Sequence, residues 1–158
     1  MLKSFIDKLF PALARRRRLM ELAADPAEFV QRRTEELAKR TQSGELLFAC
    51  PACGFKTLEE TCGYDICQIC GWEDDPSALW NPEEVSGPNN ETLVNWQRRV
   101  LEGLPPEVTE VKQIVRDPAW RPITEKDLHF APEWRKQERE MPAKLKEDFP
   151  PQYWKWKK

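Results

Sequence analysis

Four cysteines occupy two matched segments, Cys50-Pro51-Ala52-Cys53-Gly54-Phe55 and Cys67-Gln68-Ile69-Cys70-Gly71-Trp72. Each is Cys-x-x-Cys followed by a glycine and an aromatic residue. Two thiolates two residues apart can hold one ion from a single tight turn. A second such turn completes the tetrahedral four-sulfur shell that Zn²⁺ takes in closed structural sites. Four thiolates also hold iron, so the spacing names the coordination before it names the metal. The glycines stand where the chain must turn sharply, often through φ > 0. Such a turn is expected to aim backbone N–H groups at the sulfurs and offset part of the thiolate charge. A pair of disulfides is the competing use of these residues; the doubled spacing with matched flanks favours metal. The expected ligands are Cys50, Cys53, Cys67 and Cys70, with Zn²⁺ as the cofactor and Fe as the alternative.

Other residues capable of chemistry are read as structural. Cys62 has acidic neighbours in Glu59, Glu60 and Asp65, whereas a reactive thiolate needs positive surroundings. Glu73, Asp74 and Asp75 are expected to cap a turn and accept from backbone amides, or to face a basic partner. His129 is the only histidine, and histidine-based acid–base chemistry would rest on it alone. No catalytic residues and no organic cofactor site are expected, so the chain reads as a non-enzyme.

The elements that must position the cysteines are short. The chain has 158 residues, 14 prolines, 7 tryptophans and a net charge of −2. Three regions are expected: a helical arm over 1–44, a cysteine-rich metal-binding domain over 45–104 and a helical, irregular extension over 105–158. In the first region Phe5, Ile6, Leu9, Phe10 and Leu13 recur at helical spacing. A second helix starts at Asp25-Pro26-Ala27-Glu28, with Asp25 as cap and Pro26 at the first helical position, and stops before Gly44. Strands are expected at Leu46–Phe48 and Phe55–Leu58, and Tyr64–Ile66 leads into the second knuckle. A helix capped by Asn89 or Asn90 carries Leu93, Trp96, Val100 and Leu101 on one face and ends at Gly103. Residues 107–116 are expected to form another helix, with short helical pieces at Glu133–Glu140 and Pro142–Glu147. The tail is expected to drape over the domain, or await a partner, through Trp120, Trp134, Trp154 and Trp156. The fold class is therefore small α+β: a zinc-ribbon or rubredoxin-like metal module flanked by helices, with an irregular Trp/Pro-rich tail.

The middle of the chain resembles the cysteine-rich CPCC family of small bacterial proteins over about residues 47–103. Cys50 to Leu58 resembles the family's opening, Gly63 to Asp75 its second half, and Gly87-Pro88-Asn89 with the following helix its closing segment. Ala52 stands where the family usually has a cysteine, and Gln68 where it often has a proline. Both Cys-x-x-Cys pairs survive these departures, which supports the same four ligands. The resemblance implies a metal-binding fold and, through members resembling accessory genes of toxin–immunity loci, an immunity-like role.

Three functions compete. The first is a non-catalytic zinc-binding interaction protein, in its sharper form an immunity-like or regulatory inhibitor of a protein partner such as a toxin. The second is a rubredoxin-like iron electron-transfer module, suggested by the thirteen residues between Cys53 and Cys67. Against it, neither arm carries the Glu-x-x-His pattern of a di-iron domain. The third is a nucleic-acid-binding zinc ribbon. Between Cys50 and Asp75 the only basic residue is Lys56, so nucleic acid is disfavoured. The basic run Arg15–Arg18 reads as a solvated helix face. The alternating Tyr153-Trp154-Lys155-Trp156-Lys157-Lys158 allows either base stacking or a packed strand. No apolar run is long enough to span a bilayer. The N-terminal apolar stretch is broken by Asp7 and Lys8, which with an odd cysteine count leads us to expect a reducing, cytoplasmic setting.

Overall fold

A computed structural model describes residues 20, 21, 24–140 and 152–155. The helix expected around Phe5–Leu13, the piece at Pro142–Glu147 and the position of Trp156 lie outside the described residues, as does the side chain of Trp134.

Helix α1 spans Pro26–Gln42. The Asp25 carboxylate accepts the Glu28 N–H at 3.0 Å, and Pro26 opens the first turn where its missing N–H costs nothing. Ser43 closes the helix, and Gly44 follows at φ 77°. Phe29, Thr34 and Leu37 form its buried stripe. An ion cluster ties it to the domain: Arg33 and Arg40 reach Glu59 at 3.1 and 3.2 Å. These side chains are mostly shielded, so the cluster should exceed an open surface pair. Glu59→Gln is expected to lower the stability of α1 docking by about 1 kcal/mol, read as a lower denaturant midpoint with an unchanged slope.

Strands β1 (Phe48–Ala49) and β2 (Lys56–Leu58) pair antiparallel across the first knuckle. The second knuckle is framed by one bridge, Ile66 to Glu73. Asp75 caps the short α2 (Pro76–Trp80), accepting the Ser77 N–H at 2.9 Å and the Ser77 and Ser86 hydroxyls at 2.6 and 2.8 Å. This is the capping use expected of the acidic turn. Helix α3 spans Leu93–Gly103, with Leu93 fully buried and Trp96 and Val100 packed on the core. Its cap is Thr92, whose hydroxyl accepts the Asn95 N–H at 3.1 Å, in place of Asn89 or Asn90. The Asn89 side chain instead mimics a strand neighbour: it accepts from Glu73 N and donates to Glu73 O at 2.8 and 2.9 Å.

The helix expected over 107–116 is a β-hairpin. Strands β3 (Glu110–Val111) and β4 (Ile114–Val115) pair antiparallel. Lys112 and Gln113 both take positive φ, 48° and 62°, which gives the turn the twist a two-residue hairpin needs. Val108, Val111 and Ile114 fall at helical spacing by coincidence; β-branched residues at these positions suit a strand equally. Ile114 is fully buried. A bridge between Phe55 and Arg116 joins this hairpin to the first knuckle.

Helix α4 spans Glu125–Glu140, beginning well before the expected Glu133 and passing through Pro132. The fully buried Asp127 carboxylate starts it, accepting from Thr124 N and Oγ1 at 2.8 and 2.6 Å and from both Arg121 terminal nitrogens. A 3₁₀ turn at Tyr153–Lys155 places Tyr153 in the core. Trp120 is buried as well, and Trp154 packs against the core. Among the described residues no helix is long and apolar enough to cross a membrane.

Candidate metal centre

The two Cys-x-x-Cys segments fold alike. The Cys50 N–H donates to Phe55 O at 2.9 Å, and the Cys67 N–H to Trp72 O at 2.8 Å. The Gly54 N–H donates to Cys50 O at 2.8 Å, and the Gly71 N–H to Cys67 O at 2.9 Å. Gly54 and Gly71 sit at φ 80° and 78°, the left-handed region in which glycine escapes the Cβ penalty. Phe55 and Trp72, the aromatics after each glycine, are both fully buried. The glycine amides thus close the knuckles onto carbonyls instead of pointing at sulfur. The sulfur-directed donor among the described residues is the Thr57 hydroxyl, 3.2 Å from Cys67 Sγ. The alternating strand Phe55–Leu58 placed Thr57 near the knuckle, but nothing in the sequence said that its hydroxyl turns inward.

These turns bring the four sulfurs together. Cys50 and Cys70 Sγ lie 3.8 Å apart, Cys53 and Cys67 Sγ 3.6 Å apart, and all four within 4.8 Å of one another. A regular tetrahedron with metal–sulfur bonds of about 2.3 Å has sulfur–sulfur edges of about 3.8 Å. The cluster therefore has the size of a four-thiolate shell and could hold a metal ion. Cys50, Cys53 and Cys67 are buried, and Cys70 is half-buried at the edge. Burial pushes the Cys50 and Cys53 thiols well above their ordinary range. Burial acts the same way on Cys67, but hydrogen bonds from Cys50, Cys53, Cys70 and Thr57 outweigh it and hold that thiol well below. Cys50 and Cys53 thus hold their protons more tightly than a free thiol, and Cys67 less tightly. A divalent ion would displace those protons on binding.

Arg116 backs the first knuckle. Its guanidinium donates to Cys53 O at 2.9 Å, Pro105 O at 2.6 Å and Leu104 O at 3.0 Å. It lies over Phe55 and Trp120, 4.4 and 5.3 Å from the ring centroids. A fixed cation here would partly balance the net negative charge that four thiolates leave on a divalent ion. Neither Arg116 nor the buried Gln97, whose side chain donates to Pro51 O at 2.7 Å, was marked by sequence. Each is an ordinary polar residue until a distant segment folds beside it.

The remaining candidates stay apart from the cluster. Cys62 is half-buried at φ 60°. Burial, then the charges of Asp74, Asp75 and Glu60, push its thiol up to about 12, so it is protonated and unreactive at neutral pH. His129 is exposed, with Nδ1 2.7 Å from Glu125 O. The Asp74 carboxylate is buried and accepts the Cys62 N–H at 2.6 Å. Burial first, then the Asp75 and Cys67 charges, raise it to about 7. The folded chain therefore holds this proton more tightly than the unfolded chain, whose carboxyl titrates near 3.9. Its contribution to stability is complete below about pH 4 and is lost as pH rises through about 7. Asp74→Asn should stabilise the protein at pH 8 by about 1–3 kcal/mol and by much less at pH 5, measured by thermal unfolding with metal held constant.

Residues 48–118 match the family model described as Cysteine-rich CPCC. No curated protein and no solved structure matches the chain. The matched span extends past the resemblance read at 47–103 and takes in the β3–β4 hairpin and Arg116. Helices α1 and α4 and the turn at Tyr153 lie outside it.

Proposed function

We propose that Cys50, Cys53, Cys67 and Cys70 bind one Zn²⁺ as a closed structural site in a zinc-ribbon-like module, and that the chain is a non-catalytic interaction protein. The observation that carries this reading is the cluster: four sulfurs at tetrahedral spacing, three of them buried, on two glycine-turned knuckles. Four protein ligands leave no open position for substrate or water, which is how structural zinc sites differ from catalytic ones. The carboxylates nearby are spent on backbone amides and hydroxyls. Function then falls to surfaces that the metal module holds in place. The sharper form, an immunity-like or regulatory inhibitor of a toxin or other protein partner, draws its support from the family resemblance.

Elemental analysis of protein purified without added metal tests the site. One zinc per chain and a colourless solution are expected. One iron per chain with visible absorption would replace this reading with electron transfer. Affinity capture from native lysate tests the interaction role; recovery of no stoichiometric protein partner would count against it.

A further inference from the structure

A continuous chain of hydrogen bonds links the first knuckle to the C-terminal turn. Pro51 lies between the ligands Cys50 and Cys53, and its carbonyl accepts one Gln97 Nε2 hydrogen at 2.7 Å. The other Nε2 hydrogen goes to the Tyr153 hydroxyl, also at 2.7 Å. That hydroxyl has a single proton and gives it to Arg121 O at 2.6 Å, so its 3.5 Å approach to Pro51 O carries no second bond. Gln97 Oε1 accepts the Ile123 N–H at 2.9 Å. The side chain of Gln97 thus spends both amide hydrogens and its carbonyl, in a site where it and Tyr153 are 2% and 1% exposed. Trp120 Nε1 adds a 3.3 Å contact to the same Pro51 carbonyl. Buried groups this committed have no water to fall back on, so displacing one end strands the other.

The direction of the Pro51 carbonyl is fixed by the knuckle, and the knuckle by its two ligands. We infer that the metal site and the Tyr153–Trp154 turn are coupled through Gln97: metal release frees the turn, and undocking of the turn loosens the metal. Coupling of this kind is reciprocal in binding free energy. It gives the tail a role the matched family segment does not contain, that of an aromatic latch whose release reports the loss of metal. The inference rests on the four-cysteine site binding zinc.

The test uses the full-length chain loaded with one zinc. Tyr153→Phe keeps the ring and removes the hydroxyl, stranding a Gln97 hydrogen and Arg121 O. Zinc transfer to a chromogenic chelator should quicken by about fivefold or more. Glu59→Gln, which loosens α1 without touching the hydrogen bonds of Pro51, Gln97 and Tyr153, should leave the transfer rate within about twofold. In the wild-type chain, stripping zinc should raise hydrogen exchange at 152–155 together with exchange at 50–54. This second measurement keeps the coupling open to refutation even if Tyr153→Phe fails to fold. An unchanged transfer rate in Tyr153→Phe, an equal acceleration in Glu59→Gln, or a turn still protected after zinc is gone each overturns the coupling. A wild-type chain that takes up no zinc overturns the metal reading itself. That result is distinct from coupling failure, in which zinc is bound and the turn ignores it.

Discussion

Cys67→Ser is expected to abolish metal retention and unfold residues 46–75, while Cys62→Ser keeps both metal and fold. The two thiols are five residues apart, yet their surroundings differ in kind. Cys67 is buried 3.6 Å from Cys53 Sγ and receives the Thr57 hydroxyl. A serine there is a shorter, harder ligand that reaches neither the ion nor the Thr57 donor. The scale of the loss is set by the metal: structural zinc contributes about 10 kcal/mol or more to small modules at neutral pH. A two-stranded sheet with one additional bridge cannot replace that. Cys62 is not one of the four clustered cysteines; its N–H is on Asp74, and serine keeps that backbone bond. Zinc per chain after gel filtration, with near-ultraviolet circular dichroism, separates the outcomes. If the two variants behave alike, the ligand assignment is wrong.

The clustering of the four cysteines, the knuckle glycines and α1 were legible because each is specified locally. A Cys-x-x-Cys-Gly-aromatic segment carries its turn, its two thiols and its first buried ring within six residues. Asp25-Pro26-Ala27-Glu28 carries the cap, the first-turn proline and the capped amide within four. The hairpin at 110–115 was not legible. Its turn lacks the glycine or asparagine that advertises positive φ, and Val108, Val111 and Ile114 suit a helix as well as a strand. What settles the matter is tertiary: Arg116 at the hairpin's end is held by Cys53 O, Leu104 O and Pro105 O, and Asp117 N donates to Gly54 O at 2.9 Å. The same applies to Gln97 and Tyr153, 56 positions apart in the chain and hydrogen-bonded in the core. A single sequence shows one half of such a pair at a time. Even the Asn89 cap failed for this reason, since its side chain is claimed by the Glu73 backbone 16 residues earlier.

The two knuckles look interchangeable in sequence and are not interchangeable in energy. Gly54→Ala and Gly71→Ala impose the same backbone penalty, because both glycines sit near φ 80°. A left-handed alanine costs about 1–2 kcal/mol. Beyond that the sites diverge. At Gly71 the nearest atom to an added Cβ is Trp96 Cζ2 at 3.9 Å, an ordinary contact. At Gly54 the Cβ would stand 2.7 Å from Trp120 Cε3 and Cγ, and closer still to Cδ2. The indole cannot slide away freely: its Nε1 points to Pro51 O, and Arg116 lies over its ring. Overpacking of this kind adds about 1–3 kcal/mol. Gly54 O also holds Asp117 N, so a shift of the knuckle pulls on the hairpin that Arg116 anchors. Gly54→Ala should therefore lose metal to a chelator markedly faster than Gly71→Ala, with the larger drop in thermal midpoint. Equal effects would mean that the Trp120 face contributes nothing beyond the turn itself. A larger effect at Gly71 would mean that the second knuckle, with its half-buried Cys70, is the weaker hold on the ion.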